Sequence, residues 1–305
     1  VLEVGDYAFA DCDLKDFKSG KNVRELGDYA FADNSEMTQF TFGEQLDTVG
    51  KGILFNNNAI NSLNIKCYLK CPELTVSKMF DDYIPDTLES ICLQNTDKIV
   101  DHAFAGCKSL KSVICDSEIS WISDYSFYDC VNLETLPETK NVEYYGTSSF
   151  ANCQKLKNIS FENTKIVENG AFDQCKSLEK AIFSSNLERI GNGKISQEVS
   201  DYAYSFRNCG SLKEVILPNK KSDSITIGAY SFLESGIEKL IIGNGIEYIP
   251  EGCFFGVNIS ELILPDSVIQ VDDSAFGSCT NLRHIILNEG LKRIGNDVFG
   301  GISNK

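Results

Sequence analysis

The chain has two histidines in 305 residues, and 28 basic against 44 acidic side chains. The first shortage leaves few imidazoles, the commonest general base and a principal zinc ligand. The second leaves a formal net charge of −16, a surface that repels phosphate backbones and anionic lipid. Nucleic-acid binding is excluded on that ground. No apolar run approaches the roughly 18 residues of a spanning helix, so no membrane insertion is expected within this segment. No N-terminal stretch has the charged and apolar pattern of a signal peptide.

What the chain does have is a period. The phrase A-F-x-x-C-x-x-L recurs as AFAGCKSL at 103–110, AFDQCKSL at 171–178 and AFGSCTNL at 275–282. Its phenylalanine slot runs through Phe9, Phe31, Phe104, Phe127, Phe150, Phe172, Phe206, Phe232, Phe254, Phe276 and Phe299. Leu54 fills the slot after Phe31, and Phe80 fills the next, inside a degenerate segment at 66–98. The longer steps into Phe206 and Phe232 read as insertions, the first at 184–205. About twelve repeats of roughly 23 residues therefore account for residues 1–305 as a single repeat domain.

Each repeat reads as one turn of a coil. An aliphatic residue five positions before the phenylalanine is often followed by Gly and Asp, as in VGDYAF at 4–9 and LGDYAF at 26–31. Glycine permits a tight backbone there, and the aspartate is expected to cap a short helical turn carrying Ala-Phe. After the phenylalanine comes L-x-x-V/I-x-L, whose last three residues alternate in, out, in, as a short strand does. One coil has too small an apolar face to fold alone, so equivalent residues must stack in ladders.

These motifs resemble the BspA-like, or Treponema pallidum-type, leucine-rich repeats, with fullest matches in LKEVILP at 212–218, SELILPDSVIQVDDSAFGSCTNLRHIIL at 260–287 and LKRIGNDVF at 291–299. The resemblance implies an α/β solenoid: a leucine-rich-repeat right-handed superhelix, with a parallel β-sheet on the concave side and short helical turns on the convex side. It also implies an extracellular or cell-surface, adhesin-like protein contacting host matrix or plasma proteins such as fibronectin or fibrinogen. The motif itself carries no catalytic residue. Both ends are expected to be cut in mid-repeat, because VLEVGDYAF lacks its preceding strand and VFGGISNK its following one.

Chemistry-bearing residues are thin. Cys12, Cys107, Cys130, Cys153, Cys175, Cys209 and Cys279 all fall three residues after the repeat phenylalanine, and Cys253 takes the alanine slot. Seven cysteines in one slot read as small buried apolar residues with free thiols, their side chains pointing in parallel. Cys67 and Cys71 form an isolated C-x-x-x-C, a weak zinc signal. His102 and His284 have no thiol or carboxylate partner that the sequence nominates. Asp81-Asp82 and Asp272-Asp273 lack the spaced ligand loop of a calcium site. No metal, cofactor or catalytic group is expected.

The most informative surface lies on the strands. The outward residue of each strand reads Lys18, Thr41, Asn64, Cys92, Ile114, Pro137, Ser160, Ile182, Ile216, Ile241, Ile263 and Ile286, ending in five isoleucines. β-Branched residues suit strands in any case. A contiguous exposed apolar stripe, however, marks partner sites, and it is flanked here by Lys180, Glu214, Lys239, Glu261 and His284. The expectation is a non-catalytic, macromolecule-binding repeat module. The alternatives are a passive spacer or scaffold displaying another domain, and an enzyme sited in the 184–205 insertion.

Overall fold

The computed structural model describes residues 1–66, 74–136, 139–192, 202–220 and 224–302. They group into two compact units, Val1–Glu138 and Thr139–Lys305. Each unit is a solenoid whose coils are joined by parallel ladders. In the first, Asp16–Lys18, Gln39–Phe42, Ser62–Ile65, Ser90–Leu93 and Ser112–Cys115 form a five-stranded parallel sheet. In the second, Lys180–Ile182, Glu214–Ile216 and Lys239–Ile241 form one parallel sheet, and Glu261–Ile263 pairs with His284–Ile286. The alternation expected from L-x-x-V/I-x-L sets their faces: Ala181, Val215 and Leu262 point inward and are buried.

The aliphatic residue before Gly-Asp forms a second ladder. Glu3–Val4, Glu25–Leu26 and Thr48–Val49 pair in parallel in the first unit. In the second, Ile166–Val167 lies between Tyr144–Tyr145 and Arg189–Ile190. At Gly27 and Gly50 the stacked coils leave no room for a side chain after the aliphatic residue. A Cβ on Gly27 would fall 2.6 Å from Asp6 N, and one on Gly50 would fall 2.5 Å from Asp28 N. The aspartate that follows serves the neighbouring coil and not its own turn. Asp6 Oδ1 accepts from Asp28 N, and Asp28 Oδ1 accepts from Lys51 N, both at 2.8 Å.

The turns on the other side are almost without helix. Among the described residues the one α-helix is Val76–Phe80, capped by Thr75, whose side chain accepts from Lys78 N. Elsewhere the residues two before and two after the phenylalanine are left-handed: Tyr29 and Asp33, Tyr125 and Asp129, Tyr204 and Asn208, Tyr230 and Glu234. That backbone alternates its donors. Tyr29, Phe31 and Asp33 donate to Lys51, Ile53 and Phe55 of the next coil, while Ala32 N bonds back to Tyr29 O. Amides spent between coils are unavailable for an α-helical ladder, so the expected helical turns are a minor feature.

Side chains of the phenylalanine slot fill the core. Within the second unit, rings 150, 172, 206, 232, 254 and 276 stack at 5.1–5.4 Å with interplanar angles of 3–12°. The coil spacing of about 4.8 Å is close to the separation of stacked aromatic rings, which makes phenylalanine a natural ladder residue. Leu54 and Phe80 occupy the same slot: Leu54 N donates to Met79 O, as Phe31 N does to Ile53 O. The long step into Phe206 leaves the ladder in place, since Phe172 N donates to Ser205 O.

Candidate binding surface

Parallel register brings the predicted isoleucines into line. Ile182 pairs with Ile216 and Ile216 with Ile241, and Ile263 pairs with Ile286. Ile182 and Ile241 are each 44% exposed, Ile263 54% and Ile286 52%, while Ile216 is half-buried. The ladder opens between Lys239–Ile241 and Glu261–Ile263, leaving a hollow of about 430 Å³ lined by both strands. The first unit presents different chemistry in the same row. Lys18, Thr41, Asn64 and Cys92 are polar or small, and Ile114, 58% exposed, stands as a single aliphatic residue. Ser160 is half-exposed, and Pro137 lies outside the described residues.

Charges beside the stripe are paired along the stack. Glu214 accepts from Lys239 at 2.6 Å and faces Lys180 at 3.5 Å, and Lys213 bonds Glu238 at 2.7 Å. The Lys239 ammonium holds the Glu214 carboxyl below the ordinary glutamate range. Glu261 and His284 are exposed on the next two strands. Glu179, Glu214, Glu238 and Glu261 balance Lys180, Lys213, Lys239 and Arg283, so this face is neutral in a chain of net charge −16. This face therefore combines an apolar stripe with a balanced charged rim.

The cysteine slot has a role beyond its size. Cys130 Sγ donates to Phe104 O at 3.0 Å, Cys175 to Phe150 O at 3.1 Å, Cys209 to Phe172 O at 3.1 Å and Cys279 to Phe254 O at 3.3 Å. Asn34, Asn57 and Ser235 occupy the same slot and donate to the phenylalanine carbonyl of the preceding coil. In these coils the position holds a small buried donor; Val257 fills it without one, and Cys12, expected to be buried, is exposed and donates to Ala10 O. Asparagine and serine at 34, 57 and 235 were the sequence signal for it. Burial pushes the Cys279 thiol up to about 12 and the Cys175 thiol well above its ordinary value, which suppresses the nucleophilic thiolate.

Other chemistry-bearing groups are held in structural contacts. His102 sits in a left-handed turn with its ring stacked on Tyr125 at 4.9 Å. Asp81 binds Lys51 and Tyr29, Asp82 accepts from Ser77, and Asp272 from Tyr248 and Gln270. Asp273 accepts from Asn296 N. Among the described residues no three His, Cys, Asp or Glu side chains are grouped to hold a metal. Among them, too, no helix is long and apolar enough to cross a membrane. Cys67, Cys71 and residues 193–201 of the insertion lie outside the described residues.

Comparison with known proteins agrees with the repeat grammar. The model of the BspA-type leucine-rich repeat region matches residues 1–74, 77–200 and 197–305 in six copies, and the chain belongs to that family. No curated protein matches it. A leucine-rich repeat protein of Bacteroides ovatus is 20% identical over 99% of this chain and 80% of its own, with a TM-score of 0.57, a likeness of fold. A leucine-rich cell surface protein of Faecalibacterium prausnitzii is 14% identical over 99% of this chain and 81% of its own, with a TM-score of 0.40. The leucine-rich repeat protein of Treponema pallidum is 23% identical over 77% of this chain and 73% of its own, with a TM-score of 0.34.

Proposed function

We propose that residues 1–305 act as a single non-catalytic repeat domain that binds macromolecules, in a cell-surface or secreted adhesin-like protein contacting host or matrix proteins. One observation carries the reading: the register-aligned Ile182, Ile216 and Ile241, followed across the hollow by the paired Ile263 and Ile286, four of the five exposed and Ile216 half-buried, with their neutral charged rim. Five aliphatic side chains grouped on successive strands are more than the scattered surface residues a folded chain ordinarily shows. Their regular support by stacked coils makes the surface rigid, so little side-chain or backbone order is lost on contact. Membership of the BspA-type family supports the surface location and the choice of fibronectin and fibrinogen as first ligands to try.

The experiment is a concentration series of this chain over immobilised fibronectin and fibrinogen. Saturable binding to either supports the reading. Absence of saturable binding to both would favour the passive spacer, which needs the solenoid but no contact surface.

A further inference from the structure

We propose that the isoleucine stripe is self-complementary: two copies of this chain meet through it face to face, and this pairing masks the surface a ligand must reach. The inference rests on the stripe being a contact surface. It is carried by the order of charges that strand register imposes beside it. Lys180, Glu214 and Lys239 occupy one row on adjacent paired strands, and Glu261 opens the equivalent strand of the next coil. The row therefore reads plus, minus, plus, minus. Beside it Glu179, Lys213 and Glu238 read minus, plus, minus.

A symmetric pair uses the same patch on both subunits, so the patch must complement its own reverse. Place the two-fold along the strand direction, between Glu214–Ile216 and Lys239–Ile241. Each Glu214 then faces the other copy's Lys239, and each Lys180 faces its Glu261. In the second row Lys213 faces Glu238. Ile216 meets Ile241, and Ile182 meets Ile263. Over the central strands opposite charges meet and apolar side chains meet apolar side chains; farther out Glu179 faces the uncharged Ser260, and Arg283 faces Lys157, so the charge complementarity belongs to the middle of the patch. Elsewhere two chains of net charge −16 repel one another, whereas this face is neutral.

Size sets the strength. Five rungs about 4.8 Å apart, with roughly 20 Å of strand and flank, offer on the order of 400–500 Å² per copy. A standard interface uses roughly 800 Å² per partner, so this dimer is weak and concentration-dependent.

Sedimentation equilibrium from about 10 µM to about 1 mM spans the range for such an interface. The parent is expected to rise from the mass of one chain toward that of two. Glu214→Lys alone and Lys239→Glu alone each set like charges opposite one another and should remain monomeric. An equimolar mixture of the two variants should dimerise, because the unaltered positions meet as before and the altered positions meet with their charges exchanged. Both variants lose the Glu214–Lys239 bridge within the chain, and mixing does not restore it, so recovery in the mixture reports contact between copies. A parent that stays monomeric throughout, a parent dimer indifferent to either single variant, or a mixture that stays monomeric would overturn the inference. Capture of fibronectin or fibrinogen, measured with the parent below the dimerising range, would stand or fall separately.

Discussion

Removing one ring from the ladder tests the packing most severely at Phe172. The side chain is fully buried, stacked on Phe150 at 5.3 Å and on Phe206 at 5.2 Å. Tyr145 and Phe161 close on it edge-on at 5.1 and 5.3 Å. Truncating a buried phenylalanine to alanine costs about 3–5 kcal/mol. Four aromatic neighbours, each worth about 0.5–1.5 kcal/mol beyond area, place Phe172→Ala at the top of that range. The coil cannot relax to close the gap, because the Phe172 amide is tied to Ser205 O and its carbonyl to Cys209. Phe172→Leu, which keeps most of the volume as Leu54 does in its own coil, should cost about 1–1.5 kcal/mol. Urea denaturation followed by far-ultraviolet circular dichroism reads both. Midpoints equal to the parent's for Phe172→Ala would show that the ladder is not the core.

Asn34→Ala should destabilise by about 2–4 kcal/mol, because Asn34 is buried, donates to Phe9 O and Phe31 O, and accepts from Cys12 N and Leu14 N; chemical denaturation checks this. Cys12 should label rapidly with a thiol reagent in the native protein, while Cys130, Cys153, Cys175 and Cys209 stay protected. Unfolding without reductant should then bring the total to twelve equivalents, and a shortfall would reveal disulfides. Glu214, whose folded pKa is lowered by Lys239, contributes stability above the unfolded glutamate value that is lost as pH falls through the folded value. The melting-temperature gap between the parent and Glu214→Gln should therefore close on acidification, and a gap that widens in acid would contradict the assignment.

The sequence carried the coil and its two most regular ladders because both repeat at one interval. Phe31, Leu54, Phe80 and Phe104 could be placed from spacing alone, through the eroded stretch at 66–98. The isoleucine row followed from alternation in L-x-x-V/I-x-L. Hydrogen bonds that close on the next coil were not legible, since their partners lie a whole repeat away. Asp6 and Asp28 look like helix caps when one repeat is read by itself, and become rungs once Asp28 N and Lys51 N are beside them. The two-residue strands such as Glu25–Leu26 are too short to show alternation. Left-handed turns had a compositional trace: Asp33, Asn56, Gly106, Asn152 and Asn208, two residues after the ladder position, include the residue types that tolerate positive φ. Of the candidate site, the row was readable, but the pairing of Lys180, Glu214 and Lys239 needed the register of three strands.

Whether the stripe is the binding surface is decided by Ile241→Asp together with Ile263→Asp. Both side chains are about half exposed and line the hollow between their strands, so the change leaves the buried ladders untouched. The double variant is predicted to melt with the parent and to lose capture on immobilised fibronectin or fibrinogen, whichever the parent binds. Full retained affinity in a correctly folded double variant would contradict the account and move the binding surface to the turns.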